Sequence, residues 1–188
     1  MLALRVPKCF TKVLLPLVLL PAAASTVFAA SSQEQVLDRF LIQELQSRYA
    51  LAHDLTDGDL YAAVFTEDAE LYSGGRLLVK GREALHATGV NDRRRFNAGA
   101  AEGERSFGAL RHVITNTVID LTGDTTAEGL CYVMTVVVRP GGGPEILSLG
   151  RYEDEYRKVD GEWLIARRDI VMDMGNSALA AETGLFGP

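Results

Sequence analysis

The residues of this chain best suited to chemistry are Asp54 and His112, set in the runs SRYALAHDL and ALRHVITN. A carboxylate that holds an imidazole in one tautomer makes a general base, and in an apolar cavity such a pair can remove a proton from carbon. With an ordinary pKa near ~6.5, an imidazole is usable at neutral pH. The two residues lie far apart in sequence, so only a fold can join them. Tyr49 could donate its hydroxyl to a substrate oxygen. His53, four residues after Tyr49, shares its helical face and is a competing base. Beyond His112, strand alternation puts Ile114, Asn116 and Val118 on one side, the mixed lining expected of a pocket wall. Arg167 and Arg168 point to opposite sides of their strand, so only one can enter a cavity as an anchor or oxyanion stabiliser. Simple alternation groups Arg167 with Trp163 and Ile165 and Arg168 with Leu164 and Ala166, and a bulge would reverse the choice. Met134, Tyr152 and Met172 are candidate pocket liners.

The elements that must position these groups read as helices first and strands afterwards. Glu34 to about Leu55 predicts one long amphipathic helix, with Leu37, Phe40, Leu41, Leu45, Arg48 and Ala52 at three- and four-residue spacing. Asp57 or Asp59 is expected to cap a short second helix through Leu60, Ala63, Val64 and Phe65, closed by Thr66-Glu67-Asp68. A hairpin turns at Gly74-Gly75, and Gly81-Arg82 opens a third helix. Asn91 to Gly108, with Arg93-Arg94-Arg95 and several glycines, is read as a loop or frayed helix extension, either a lid or a solvated insertion. Four strand-like runs follow: His112–Leu121, Ala127–Val138, Ile146–Arg157 and Trp163–Asp173. Three adjacent hairpins imply one curved antiparallel sheet, with helices across one face in an α+β domain. Asn176 to Pro188 is expected to be a flexible tail.

The 188 residues carry a formal net charge of −6, so the basic footprint of a nucleic-acid binder is absent. Arg5, Lys8 and Lys12 precede an apolar run from Val13 to Leu20 and small residues ending in Val27-Phe28-Ala29, the pattern of a secretory signal cut after Ala29 or Ala30. That run is too short to span a bilayer. Export to the periplasm or outside the cell is therefore expected, with residues 30–175 as the domain and no membrane insertion after cleavage. Removing those three cations leaves a net charge of about −9. Only Cys131 remains after cleavage, so no internal disulfide can form, and its apolar neighbours suggest a buried, inert thiol. No two of the three histidines share a metal-ligand spacing, and no glycine-rich loop leads from a strand into a helix. Neither a metal nor any other cofactor is expected.

Taken together, Tyr49-x4-Asp54, Phe65-Thr-Glu-Asp68-Ala69, His112-x3-Asn116 and the run Tyr152-x-Asp-x-Tyr156-x3-Asp160-Gly161-x-Trp163-x-Ile165-x2-Arg168 resemble the SnoaL-like branch of the NTF2-like superfamily. The resemblance spans about Gln33 to Met174. It implies a cone of curved sheet wrapped on helices around a deep apolar cavity. Enzymes of that superfamily include scytalone dehydratase, bile acid 7α-dehydratase, a dehydrochlorinase, ketosteroid isomerase and polyketide cyclases. By this resemblance Asp54 and His112 fall where the eliminating members keep an Asp-His dyad, Tyr49 matches a tyrosine used by bile acid 7α-dehydratase, and Arg168 is selected over Arg167. The dehydrochlorinase has a lysine where this chain has Tyr49, which weakens the parallel with halide elimination.

The function expected is a cofactor-independent lyase or isomerase acting on a ring-containing, largely apolar small molecule. A non-catalytic carrier or dimerisation protein of the same fold is the alternative. The uninterrupted Val136-Val137-Val138 run cannot alternate cleanly between core and water, so a homodimer or homotrimer is expected.

Overall fold

Ser32 begins the first helix by a capping box: its side chain accepts from the Gln35 backbone N–H, and the Gln35 side chain returns to the Ser32 backbone. This helix, α1, runs Gln33–Asp54, and Asp57 caps α2, Gly58–Ala63, by accepting from Leu60 N at 3.0 Å. The chain continues through β1 (Phe65–Ser73), β2 (Arg76–Lys80), α3 (Arg82–Phe96), β3 (Leu110–Leu121), β4 (Thr126–Val137), β5 (Glu145–Val159), β6 (Glu162–Gly175) and α4 (Ser177–Thr183). The computed structural model describes residues 32–97, 107–138 and 141–183, all within the unit Ser31–Pro188. The expected leader over 1–29, the middle of the expected 91–108 loop and the last residues of the tail lie outside the described residues.

Six strands form one sheet in the order β2-β1-β6-β5-β4-β3. Every neighbouring pair is antiparallel except β1 with β6, so the sheet is mixed rather than wholly antiparallel. The parallel pair arises because α3 and the β3 to β6 meander separate β1 from β6, and the last strand returns beside the first. Strand β1 also begins at Phe65, where the sequence suggested the end of α2 and its closing turn.

The buried face of α1 carries Asp38, Ile42, Leu45, Gln46, Tyr49 and Ala52, whereas Leu37 and Phe40 are exposed. The helix is therefore rotated from the setting that apolar periodicity predicts. Its inner face holds polar groups with interior partners: Trp163 Nε1 donates to Asp38 Oδ1 at 2.8 Å, and Gln46 bonds to Tyr156 and Thr117. Helix α3 extends through Arg93-Arg94-Arg95 to Phe96, further than the glycine-rich stretch suggested. The expected flexible tail is helical over Ser177–Thr183; Asn176 caps it, and Leu179 is buried with Phe96, Leu110, Val137 and Leu147.

Two bulges decide which side chains face the core. In β3, Thr115 pairs with Tyr132 and Val118 with Leu130, so Asn116 and Thr117 together oppose Cys131. Before this bulge Leu110, His112 and Ile114 point inward, and after it Thr117 and Ile119 do. In β6, Arg167 pairs with Glu155 and Ile165 with Tyr156, leaving Ala166 as the extra residue. Trp163 and Ile165 are inward before it, and Arg168 is inward after it.

Candidate active site

Asp54 is the last residue of α1, and β3 enters the sheet beside it. His112 Nδ1 lies 2.7 Å from Asp54 Oδ1, and the His112 backbone N–H donates to the same carboxylate at 3.0 and 3.2 Å. The Gly108 N–H donates to the Asp54 carbonyl at 2.8 Å, so the entry to β3 is tied to the end of the helix. Both side chains are buried, at 8% and 5% exposure for His112 and Asp54. Burial lowers the His112 pKa below its ordinary 6.5, and the neighbouring His53 acts in the same direction; the Asp54 hydrogen bond opposes them without overcoming them. His112 is thus a neutral imidazole at neutral pH, with Nε2 as the nitrogen left for a substrate.

Tyr49 and Asp54 stand about 140° apart on an ideal helix, which by itself would put them on different walls. His53 closes that gap. Its ring centroid is 4.4 Å from that of His112 and 6.1 Å from that of Tyr49, and it packs edge-on against Tyr61. Tyr49 continues the chain of contacts to Phe65, Tyr61 and Tyr152.

Arg168 lies with its guanidinium carbon 4.0 Å from the ring centres of both Tyr49 and Tyr152. It donates to Asp154 through Nε at 2.8 Å and Nη2 at 2.7 Å, with neither side chain exposed. Burial works against its charge, but Asp154 together with Tyr49 and Tyr156 offsets burial and holds the Arg168 pKa well above its ordinary value. Asp154 also accepts from Tyr156 Oη at 2.6 Å, and that hydroxyl accepts from Gln46 Nε2 at 2.7 Å. Gly129 makes room for Tyr156: a Cβ there would lie 2.8 Å from the tyrosine ring. Arg168 Nη1 and His53 Nδ1 are buried without a hydrogen-bond partner among the described residues. Burial pushes the hydroxyls of Tyr61 and Tyr152 well above the ordinary phenol pKa, so both stay protonated as donors.

The structure brings together Asp54, His112, His53, Tyr49, Arg168 and Tyr152, and it excludes three residues expected to line the pocket. Asn116 is exposed with φ 54°, because the bulge it occupies turns its side chain outward and sends Thr117 in. Met134 lies on the opposite face of β4 from Cys131 and Val133, and Met172, paired with Gly150 just ahead of a second irregularity of the β5/β6 pairing, is exposed. Arg167 is on the outer face, stacked 4.3 Å from the ring centre of Tyr72. Sequence reasoning missed Asp92, 3.1 Å from His53 Nε2, as well as Gln46, Tyr61 and Asp154. The four- and three-residue spacing of Leu85, Gly89, Asp92 and Phe96 was the available sign that Asp92 shares the buried face of α3.

Cys131 is fully buried, and burial raises its thiol pKa to about 11, so it is inert rather than nucleophilic. Among the described residues no three His, Cys, Asp or Glu side chains gather as a metal site. Nor is any helix there long and apolar enough to cross a membrane. Two hollows of about 390 and 440 Å³ lie on the outer sheet face around Arg167 and between α1, α2 and Trp163; neither is lined by Asp54 or His112.

Comparison with known proteins agrees with this architecture. Residues 34–169 match the family model of the SnoaL-like domain. A protein of unknown function from Mycobacterium tuberculosis is 28% identical, with 77% of this chain and 76% of that one covered and a TM-score of 0.63. A protein provisionally named a scytalone dehydratase, from Novosphingobium aromaticivorans, is 25% identical over 76% of this chain and 89% of its own, with a TM-score of 0.62. A hexachlorocyclohexane dehydrochlorinase from Novosphingobium barchaimii shares the fold at 20% identity, covering 78% of this chain and 93% of that one, with a TM-score of 0.62. The curated protein sequences contain no match.

Proposed function

The chain belongs to the SnoaL-like domain family, and from that premise we propose that it is a cofactor-independent lyase or isomerase acting on a cyclic, largely apolar small molecule with a carbonyl or hydroxyl handle. The observation that carries this reading is the 2.7 Å contact between a buried Asp54 and a His112 whose pKa burial lowers. His112 Nε2 takes a proton from carbon, Asp54 holds the ring in one tautomer and balances the imidazolium that forms, and the negative charge developing on the substrate oxygen falls to Tyr49 or Arg168. The buried Nη1 of Arg168, without a protein partner, supports that assignment, since a ligand oxygen can satisfy it. The ring-lined surroundings of Tyr49, Tyr61, Phe65, Phe96 and Tyr152 favour a flat, apolar substrate.

A cyclic β-hydroxy ketone such as 3-hydroxycyclohexanone tests the reading, scored by the appearance of the conjugated enone. The wild-type chain is expected to form enone above background, and His112→Gln to stop it while leaving the circular dichroism spectrum unchanged. Full turnover in His112→Gln would overturn the base role of His112, and absence of enone with the wild-type chain would overturn the reading in favour of a non-catalytic carrier.

Export and self-association belong to the same proposal. Arg5, Lys8, Lys12 and the apolar run after them support an exported protein cut after Ala29 or Ala30, which the intact mass of protein recovered from the periplasm or medium tests. Exposed Val113, Leu130, Tyr132, Ile146 and Leu149 on the sheet support a homodimer or homotrimer.

A further inference from the structure

Beside the Asp54–His112 pair stands a second one that the reaction so far leaves unused. His53 Nε2 lies 3.1 Å from Asp92 Oδ2, with the two side chains 14% and 10% exposed. The rings of His53 and His112 face each other at 4.4 Å between centroids and 64° between planes. His53 Nδ1 is buried with no hydrogen-bond partner among the described residues. A histidine kept for packing normally satisfies both nitrogens or leaves one in water; this one has neither. Each pair therefore sets one ring nitrogen against a carboxylate and leaves the other, Nε2 of His112 and Nδ1 of His53, without a protein partner among the described residues.

The surroundings differ in a way that separates the two roles. His53 is in the last turn of α1, where the helix dipole welcomes positive charge, and it has Asp92 from α3 beside it. The rings packed on it are Tyr49 of its own helix, Tyr61 of α2, Phe96 of α3 and His112 of β3, so Asp92 is the anion in direct contact with it and Asp54 reaches it through His112. His112 is held below its ordinary pKa by burial and then by His53 itself. Two adjacent imidazoles, each with one nitrogen beside a carboxylate and the other without a protein partner, can divide proton donation and proton acceptance between them.

We propose that His53, held by Asp92, is the general acid of the site, protonating the leaving oxygen while His112 removes the proton from carbon. The proposal rests on the lyase reading above. In the step, the C–H bond breaks to His112 Nε2 and its electron pair becomes the new C=C bond. The C–O bond breaks with its pair on oxygen, which takes the proton from His53 Nδ1 and departs as water. The site is left with a protonated His112 and a neutral His53, and passage of one proton between the facing rings, directly or through the released water, restores it. No electrons are gained or lost, so no co-reactant is needed.

A leaving group that needs no proton tests this assignment. Matched cyclic β-hydroxy and β-chloro ketones are given to the full chain and to its His53→Gln, Asp92→Asn and His112→Gln variants. The expected result is that His53→Gln loses hydroxide elimination by about 10²-fold or more while chloride elimination stays within a few-fold, Asp92→Asn follows it more weakly, and His112→Gln loses both. Equal losses on the two ketones in His53→Gln would overturn the acid role and leave His53 structural. NMR titration of the three histidines, with His86 as the reference beside exposed Asp59, gives a readout independent of turnover. Removal of His53 is expected to raise the His112 midpoint, and an unchanged midpoint would overturn the coupling. Wild type that eliminates from neither ketone, with the two midpoints still coupled, would overturn the lyase reading and with it the acid role, leaving only a coupled pair of histidines.

Discussion

Asp54 engages His112 twice over, accepting from its backbone N–H at 3.0 Å and meeting its Nδ1 at 2.7 Å. One carboxylate thus fixes both the strand that carries the imidazole and the tautomer of the ring. Asp54→Asn keeps an oxygen for the backbone N–H but no longer balances an imidazolium, so kcat/KM on the β-hydroxy ketone should fall by about 10²- to 10⁴-fold with a smaller change in stability. Asp54→Ala also strands a buried N–H and should lower unfolding stability by about 1–3 kcal/mol. Urea denaturation beside steady-state kinetics separates the two effects.

The lowered pKa of His112 has a signed consequence for stability. Between that lowered value and the ordinary 6.5, the unfolded chain binds a proton that the folded chain does not. The contribution is full above 6.5 and is lost as pH falls through this window to the folded value. Urea midpoints across acidic pH should therefore decline less steeply in His112→Gln than in wild type. The base limb of kcat/KM should likewise fall below the ordinary histidine range.

Arg168 and Asp154 form a fully buried ion pair, and removing one partner leaves an unpaired interior charge. Asp154→Leu should cost about 3–5 kcal/mol, measured by chemical denaturation. The double change Asp154→Leu with Arg168→Met should recover much of that stability without recovering turnover.

How far the sequence reveals the site follows from which residues obey simple counting. Asp54, His112, Tyr49 and Tyr152 sit where motif and periodicity place them. Arg168 also sits where the motif places it, although alternation alone left the choice with Arg167 open and a one-residue bulge decides it; Asn116 does not, because the bulge it occupies inverts the alternation used to assign faces. The inner face of α1 was hidden for a different reason: Asp38 and Gln46 belong to interior hydrogen-bond networks, so apolar periodicity selected the wrong stripe. Asp92 was obscured by the arginines that follow it, although the helix keeps it on its buried side.

The β3 bulge makes a prediction of its own. Asn116 has φ 54°, which Asn and Gly tolerate and β-branched residues do not. Asn116→Gly should be nearly neutral, and Asn116→Ile should cost about 1–2 kcal/mol in thermal or chemical unfolding. Deleting the residue removes the extra position and leaves His112, Ile114, Thr117 and Ile119 on one face of an unbroken β3, so folding measured by circular dichroism should survive the deletion.

Self-association is expected to use the exposed apolar side of the sheet. Tyr132→Glu, at a half-exposed position, should shift the protein to monomer in sedimentation velocity without altering its helical content. An unchanged sedimentation coefficient would place the contact elsewhere.

Cys131 occupies the inward face of β4 opposite the bulge, fully enclosed, and it is the one cysteine among the described residues. It is consequently a built-in clock for the opening of the sheet. A thiol reagent can reach it only when β3, β4 and β5 part, so the labelling rate in native buffer reports the free energy of that excursion. Substrate analogues that bridge His112 and Arg168 should slow the clock, which gives a way to find ligands for this protein without knowing its reaction in advance.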